Sequence, residues 1–229
     1  MWAKLNSDKD TIEEIIVHPK TMTVDGITHP KTLFSLWTDA ERKAIGILPV
    51  TTSGTPLNQK YYIEKAEAFA IAGDKNSVIR TIGEKVADKN LADVNEVWTQ
   101  KEIDDGYAPD GTSANDPKLD NDGNQIVTKG LKTIAKNNAT NYANSLLDGF
   151  NWLIARKVTA DTAVPSAVVT YMAAVRTAHA SICTAIDNAS DMDAFKVLHT
   201  DELNEDKSVK TIAKVDDWPD DSGVKGNRR

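Results

Sequence analysis

Between residues 165 and 188 the apolar side chains return at spacings of 4, 3, 4, 3 and 4: Val168, Met172, Val175, Ile182 and Ile186, with His179 filling one place in the row. That is an a/d seam held for almost three heptads. At 1.5 Å per residue it predicts a helix about 35 Å long. One stripe must leave water, against other helices of the chain or a partner helix. Pro165 fits the first turn, where its missing N–H is no loss.

The seam predicts neighbours. "LKTIAKNNATNYANSLL" sets Leu131, Ile134, Ala135, Asn138, Tyr142 and Leu146 on one helical face. "SDMDAFKVLHT" reads as a third helix, with Ser190 and Asp193 at capping-box spacing and Met192, Phe195 and Leu198 inward. Residues 130–200 are thus expected as a helical module, and 201–229 as a polar tail anchored by Trp218.

Before residue 99 the period is that of strands. "TIEEIIV" is β-branched, and Asp25-Gly26 between "TMTV" and "ITH" marks a hairpin, because a type I′ turn needs positive φ at both central residues. "WTDAERKAIGI" reads as a short helix capped by Thr38 or Asp39 and ended by Gly46. A second hairpin is expected near 65–83 about Gly73-Asp74. The class is α+β: a β-rich docking module over 1–98 with one short helix, then a module of two or three helices. Between them, residues 99–129 read as an acidic Gly/Asp-rich linker or loop.

"HPKT" occurs twice, at 18–21 and 29–32. In the hairpin register Met22 faces His29, which leaves His18 four strand positions away, about 13 Å. Two zinc ligands need nitrogens about 2.0–2.1 Å from one ion, so the two segments are read as ends of the hairpin. Pro19 and Pro30 support this by removing ladder donors. His179 and Cys183 are i,i+4 neighbours but lack two further ligands, and His199 is expected on a solvated helix end. Asp116, Asp120 and Asp122 leave an irregular calcium site or a solvated turn. An EF-hand is excluded, because Lys118 and Lys129 occupy its end positions. Neighbouring carboxylates such as Glu13-Glu14 point to opposite faces in extended chain. No phosphate loop, dinucleotide fingerprint, zinc-protease or nucleophile-elbow motif occurs. No catalytic, cofactor or metal residue is therefore expected.

The net charge of −7 argues against a nucleic-acid surface. No apolar run is long enough for a membrane span, "MWAKLNSDKD" does not read as a secretory leader, and the one cysteine fits a reducing compartment.

Two stretches resemble bacteriophage proteins. "MWAKL…EIIVHPKTMTVDGITHPKTLFSLWTDAERKAIGI" is similar to the N-terminal module of phage tail proteins, in which a hairpin precedes F-x-x-W and a helix ending in G-I. "SLLDGFNWLIARKVTADTAVPSAVVTYMAAVR" resembles tail assembly chaperones and tail-fibre assembly proteins. There a double Leu precedes a Trp, a basic residue, a Pro, then Tyr and Arg on a helix; Leu146, Leu147, Trp152, Arg156, Pro165, Tyr171 and Arg176 fill those places, and Trp218-Pro219 the closing W-P. The resemblance implies a non-enzymatic tail-associated structural protein, assembled in the host cytoplasm and resident in the virion tail. Its expected partners are other tail or fibre proteins and further copies of itself. Trp37, Trp152, Arg156, Tyr171, Met172, Val175, Arg176 and Trp218 are its expected contact residues. The alternatives are a tail-fibre assembly chaperone that leaves the particle, and a metal- or histidine-dependent enzyme.

Overall fold

The computed structural model describes residues 1–228, and the chain divides into two compact units, Met1–Asp88 and Lys89–Arg229. Strands dominate the first unit and long helices the second, so the fold is α+β.

The first unit runs β1 (Trp2–Leu5), β2 (Ile12–Ile16), β3 (Met22–Val24), β4 (Ile27–His29), α1 (Leu33–Leu36), α2 (Asp39–Ala44), β5 (Ile47–Ser53), β6 (Tyr62–Glu64), β7 (Ala68–Ile71), β8 (Val78–Thr81) and β9 (Lys85–Asp88). Its sheet has the order β2-β1-β5-β8-β7, antiparallel except for the β5–β8 pair. Alternation along each strand sorts apolar residues onto two faces. Trp2, Ile16 and Ile47 pack with Met22, Val24, Leu33 and Phe34; Ala3, Leu5, Leu48 and Val78 pack with Phe69 and Ile71.

The β3–β4 register matches the expectation: Val24 faces Ile27 and Met22 faces His29. Asp25 and Gly26 both take positive φ. Thr38 caps α2 in a full capping box with Glu41, and Gly46 follows the helix at φ +76. The second hairpin also forms, with β7 and β8 joined through Gly73-Asp74.

The expected boundary at 98 is corrected to 88/89. Residues 90–93 belong to the start of a helix far along the chain, α4 (Leu131–Asp148). The amides of Leu131 and Lys132 donate to the carbonyls of Asn90 and Leu91 at 2.9 and 3.0 Å. The N-cap, Gly130, has no side chain to cap with, so the Asp93 carboxylate accepts its N–H at 2.8 Å. A Cβ on Gly130 would lie 2.3 Å from the Ala92 backbone, which is why glycine stands there.

The acidic stretch is a closed loop within the second unit. β10 (Val94–Asn95) pairs with β11 (Val127–Thr128), bridges join Val97 to Pro117 and Leu119 to Gln125, and α3 (Gln100–Asp104) lies between them. Composition suggested a tether because the stretch is poor in apolar residues. Polar contacts close it instead: Lys118 pairs with Glu102 at 2.6 Å, and the Gln125 amide donates to the carbonyls of Glu96 and Lys118.

The helical part contains α4, α5 (Asn151–Ala160), α6 (Ser166–Asn188) and α7 (Met192–Val197), followed by the ribbon β12 (Glu202–Leu203) and β13 (Val209–Thr211). The α6 seam is buried at Val168, Met172, Val175, Ile182 and Ile186. The buried face of α4 differs from the expected one. Ala135, Ala139 and Ala143 are its core residues, while Ile134 and Tyr142 are 44% and 51% exposed. A row of small residues on one helix accommodates a row of large ones on its neighbour. Three local expectations also change. α5 is a separate helix the sequence reading missed; Pro165 is the N-cap of α6, and Asp191, not Ser190, caps α7 by accepting from Ala194 N at 2.8 Å. In the segment after 200 Trp218 packs on the core cluster, and Ala213 and Val224 are buried as well.

Candidate interaction surfaces

Three of the four histidines, and Asp116 and Asp120 of the loop acids, have local partners. The His29 ring stands edge-on to Trp37 with centroids 5.3 Å apart. His179 Nε2 lies 3.0 Å from Thr140 Oγ1 and 3.5 Å from Cys183 Sγ. Burial pushes the Cys183 thiol up, the opposite of what activates a nucleophilic thiol. His199 Nδ1 sits 3.0 Å from the Phe195 carbonyl. Asp120 accepts from the amides of Asp122 and Asn124, and Asp116 from Ser113 N, so these carboxylates build their own turns. Among the described residues no three His, Cys, Asp or Glu gather around a metal-sized space. No helix among them is long and apolar enough to cross a membrane.

The expected contact residues divide by burial. Tyr171, Met172 and Val175 are 5%, 6% and 0% exposed, so as a docking face they are corrected: they are core. They pack with Phe150, Leu153, Val168 and Val224. The Tyr171 hydroxyl accepts from Arg228 Nη2 at 3.3 Å, and burial raises its pKa. Trp152 is half-buried, donates Nε1–H to the Asn227 carbonyl at 3.0 Å, and carries the Arg156 guanidinium 4.9 Å from its ring. Trp218 packs against Tyr142 with centroids 5.2 Å apart. Trp37 is half-buried, and its carbonyl accepts from Arg42.

Arg176 alone of the eight is on the surface. It borders a groove of about 480 Å3 with Leu147, Asp148, Ile154 and Met172. One turn along α5 from Ile154, 44% exposed, stands Val158, 80% exposed. This exposed i,i+4 apolar pair, of which Ile154 lines the groove with Arg176, is not among the residues expected from the sequence. Its signal was the run "WLIARKV", in which Leu153 faces the core while Ile154 and Val158 do not.

No protein-family model matches the chain, and no curated protein or solved structure matches it.

Proposed function

We propose that this protein is a non-enzymatic structural component of a bacteriophage tail. It acts there as an adaptor, through protein–protein contacts in the tail or fibre-attachment region. The observation that carries the reading is the exposed side of α5: Ile154 lines a groove with Arg176 and Val158, one turn on, stands in water, although the fold buries the long α6 seam internally. The two sequence segments that resemble phage tail and tail-assembly proteins point the same way. In this reading the partners are other tail or fibre proteins, and the contacts fall on α5 and Arg176.

Mass spectrometry of phage particles purified from the producing host tests it. The expected result is a fixed copy number per particle, lost in an Ile154→Glu/Val158→Glu variant that still folds. Presence in the lysate with absence from purified particles would overturn residence in the tail and favour the assembly chaperone. Substrate turnover that depends on His18, His29, His179 or Cys183 would overturn the non-enzymatic reading.

A further inference from the structure

We infer that the chain associates head to tail with further copies of itself, the Tyr107 loop of one copy seating in a lysine-rimmed apolar hollow on the first unit of the next. The hollow measures about 370 Å3. Leu5 and Leu48 form its floor, Ala40 and Ala44 of α2 its wall, and Lys9, Lys43 and Lys75 its rim. Topology brings these together. β1 runs antiparallel to β5 and β5 parallel to β8. The β1–β2 turn, the end of α2 and the β7–β8 turn therefore share one end of the sheet, and each supplies one lysine.

None of these ammonium groups forms a close ion pair among the described residues. Lys9 donates to the Ala44 carbonyl at 2.8 Å and Lys43 to the Asn76 side-chain oxygen, both neutral acceptors. Lys75 has no ion pair among the described residues. Asp10 lies within electrostatic reach of Lys75 and Asp74 of Lys43, but their hydrogen bonds go to other groups: Asp10 accepts from Asn6 and Thr11, and Asp74 from Asn76. An apolar floor under three cations selects an apolar group presented among carboxylates.

The chain carries such a group. Tyr107, 73% exposed, is the most exposed aromatic side chain among the described residues. It follows α3 in "DDGYAPD", and residues 100–110 hold four carboxylates against one lysine. The loop is preformed: Gly106 takes φ +78, and Tyr107 N donates to the Glu102 carbonyl at 2.9 Å. Asp104 contacts only Gln100, and Asp110 has no ion pair among the described residues, so both are open to a lysine. Knob and hollow are different surfaces, so the contact is heterologous and propagates into a chain or closes into a ring.

Sedimentation velocity of the purified full chain over a concentration series tests this, independently of any role in a phage. Wild type is expected to self-associate, more weakly as salt rises. Tyr107→Ser and Lys75→Glu should each raise the apparent Kd about tenfold, with circular dichroism unchanged. The decisive sample is an equimolar mixture of the two variants. Each keeps one competent end, so they should form a dimer and nothing larger. A wild type that stays monomeric at every concentration, variants that associate like wild type, or a mixture that assembles beyond dimers would each overturn the inference.

Discussion

Arg42 is the one charged residue buried among the described residues, 8% exposed, and its loss should uncouple α1 from α2. Its Nη1 donates to the carbonyls of Leu33 and Phe34 at 3.2 and 3.3 Å and to that of Trp37. Nη2 meets Asp39 Oδ1 at 2.5 Å. One guanidinium thus serves three carbonyls of α1 and its C-cap, of which that of Leu33 also accepts from Trp37 N at 3.3 Å. The Asp39 side chain is 72% exposed, so that ion pair is largely screened. Hydrogen bonds to a charged donor contribute about 1.5–3 kcal/mol, and the three here share one nitrogen, so they do not add. Arg42→Met should cost about 3 kcal/mol, and Asp39→Asn less than about 1 kcal/mol. For a unit of this size that is a fall of roughly 12–24 °C in midpoint against a few degrees. Calorimetry of the full chain measures both shifts, and hydrogen exchange of peptides from 33–48 and 166–186 assigns them to a unit. Equal losses in the two variants would refute the reasoning, since the exposed ion pair and not the carbonyl contacts would then hold the corner.

The acidic loop should loosen in acid while the helical core persists. The bond from Gly130 N, with Thr133 and Lys129, lowers Asp93 from 3.8 to about 2; Lys118, with Thr99, lowers Glu102 from 4.5 to about 2. Both folded values are depressed, so their contribution is complete above the ordinary carboxylate range and fades as pH falls towards 2. Lys118 lies 4.8 Å from the Trp98 ring centroid, so Trp98 fluorescence should change between pH 5 and pH 2, and Glu102→Gln should remove much of that change. In the first unit, Gly83→Ala should be far more damaging than Gly26→Ala, compared by urea midpoints. Both glycines have φ near +80, but a Cβ on Gly83 would fall 2.0 Å from the Thr55 carbonyl oxygen, while one on Gly26 meets nothing within 4 Å. Gly26→Ala then carries only the left-handed backbone penalty, about 1–2 kcal/mol.

The features readable from residue order are those whose cause lies within a few residues. Asp25-Gly26 sets the β3–β4 register because the turn itself demands positive φ. Thr38 and Glu41 form a capping box within one helical turn, and the 4-3-4 stripe defines α6 because neighbours three and four apart share a helix face. The α+β division follows from the same local periodicities. The rest depends on groups far apart in the chain. Ala135, Ala139 and Ala143 became the buried face of α4, in place of the larger Ile134 and Tyr142, because the bulk of α6 leaves room there for methyl groups alone. Asp93 caps a helix that begins nearly forty residues later, and the loop over 94–128 closes through polar contacts that carry no hydrophobic pattern. The candidate surface divides in the same way. No helix is expected over "WLIARKV" from the sequence, and the choice of Leu153 for the core and Ile154 and Val158 for water belongs to the packing around it. Periodicity reports that a side chain shares a stripe; whether that stripe meets protein or solvent is set by what the folded chain places opposite it.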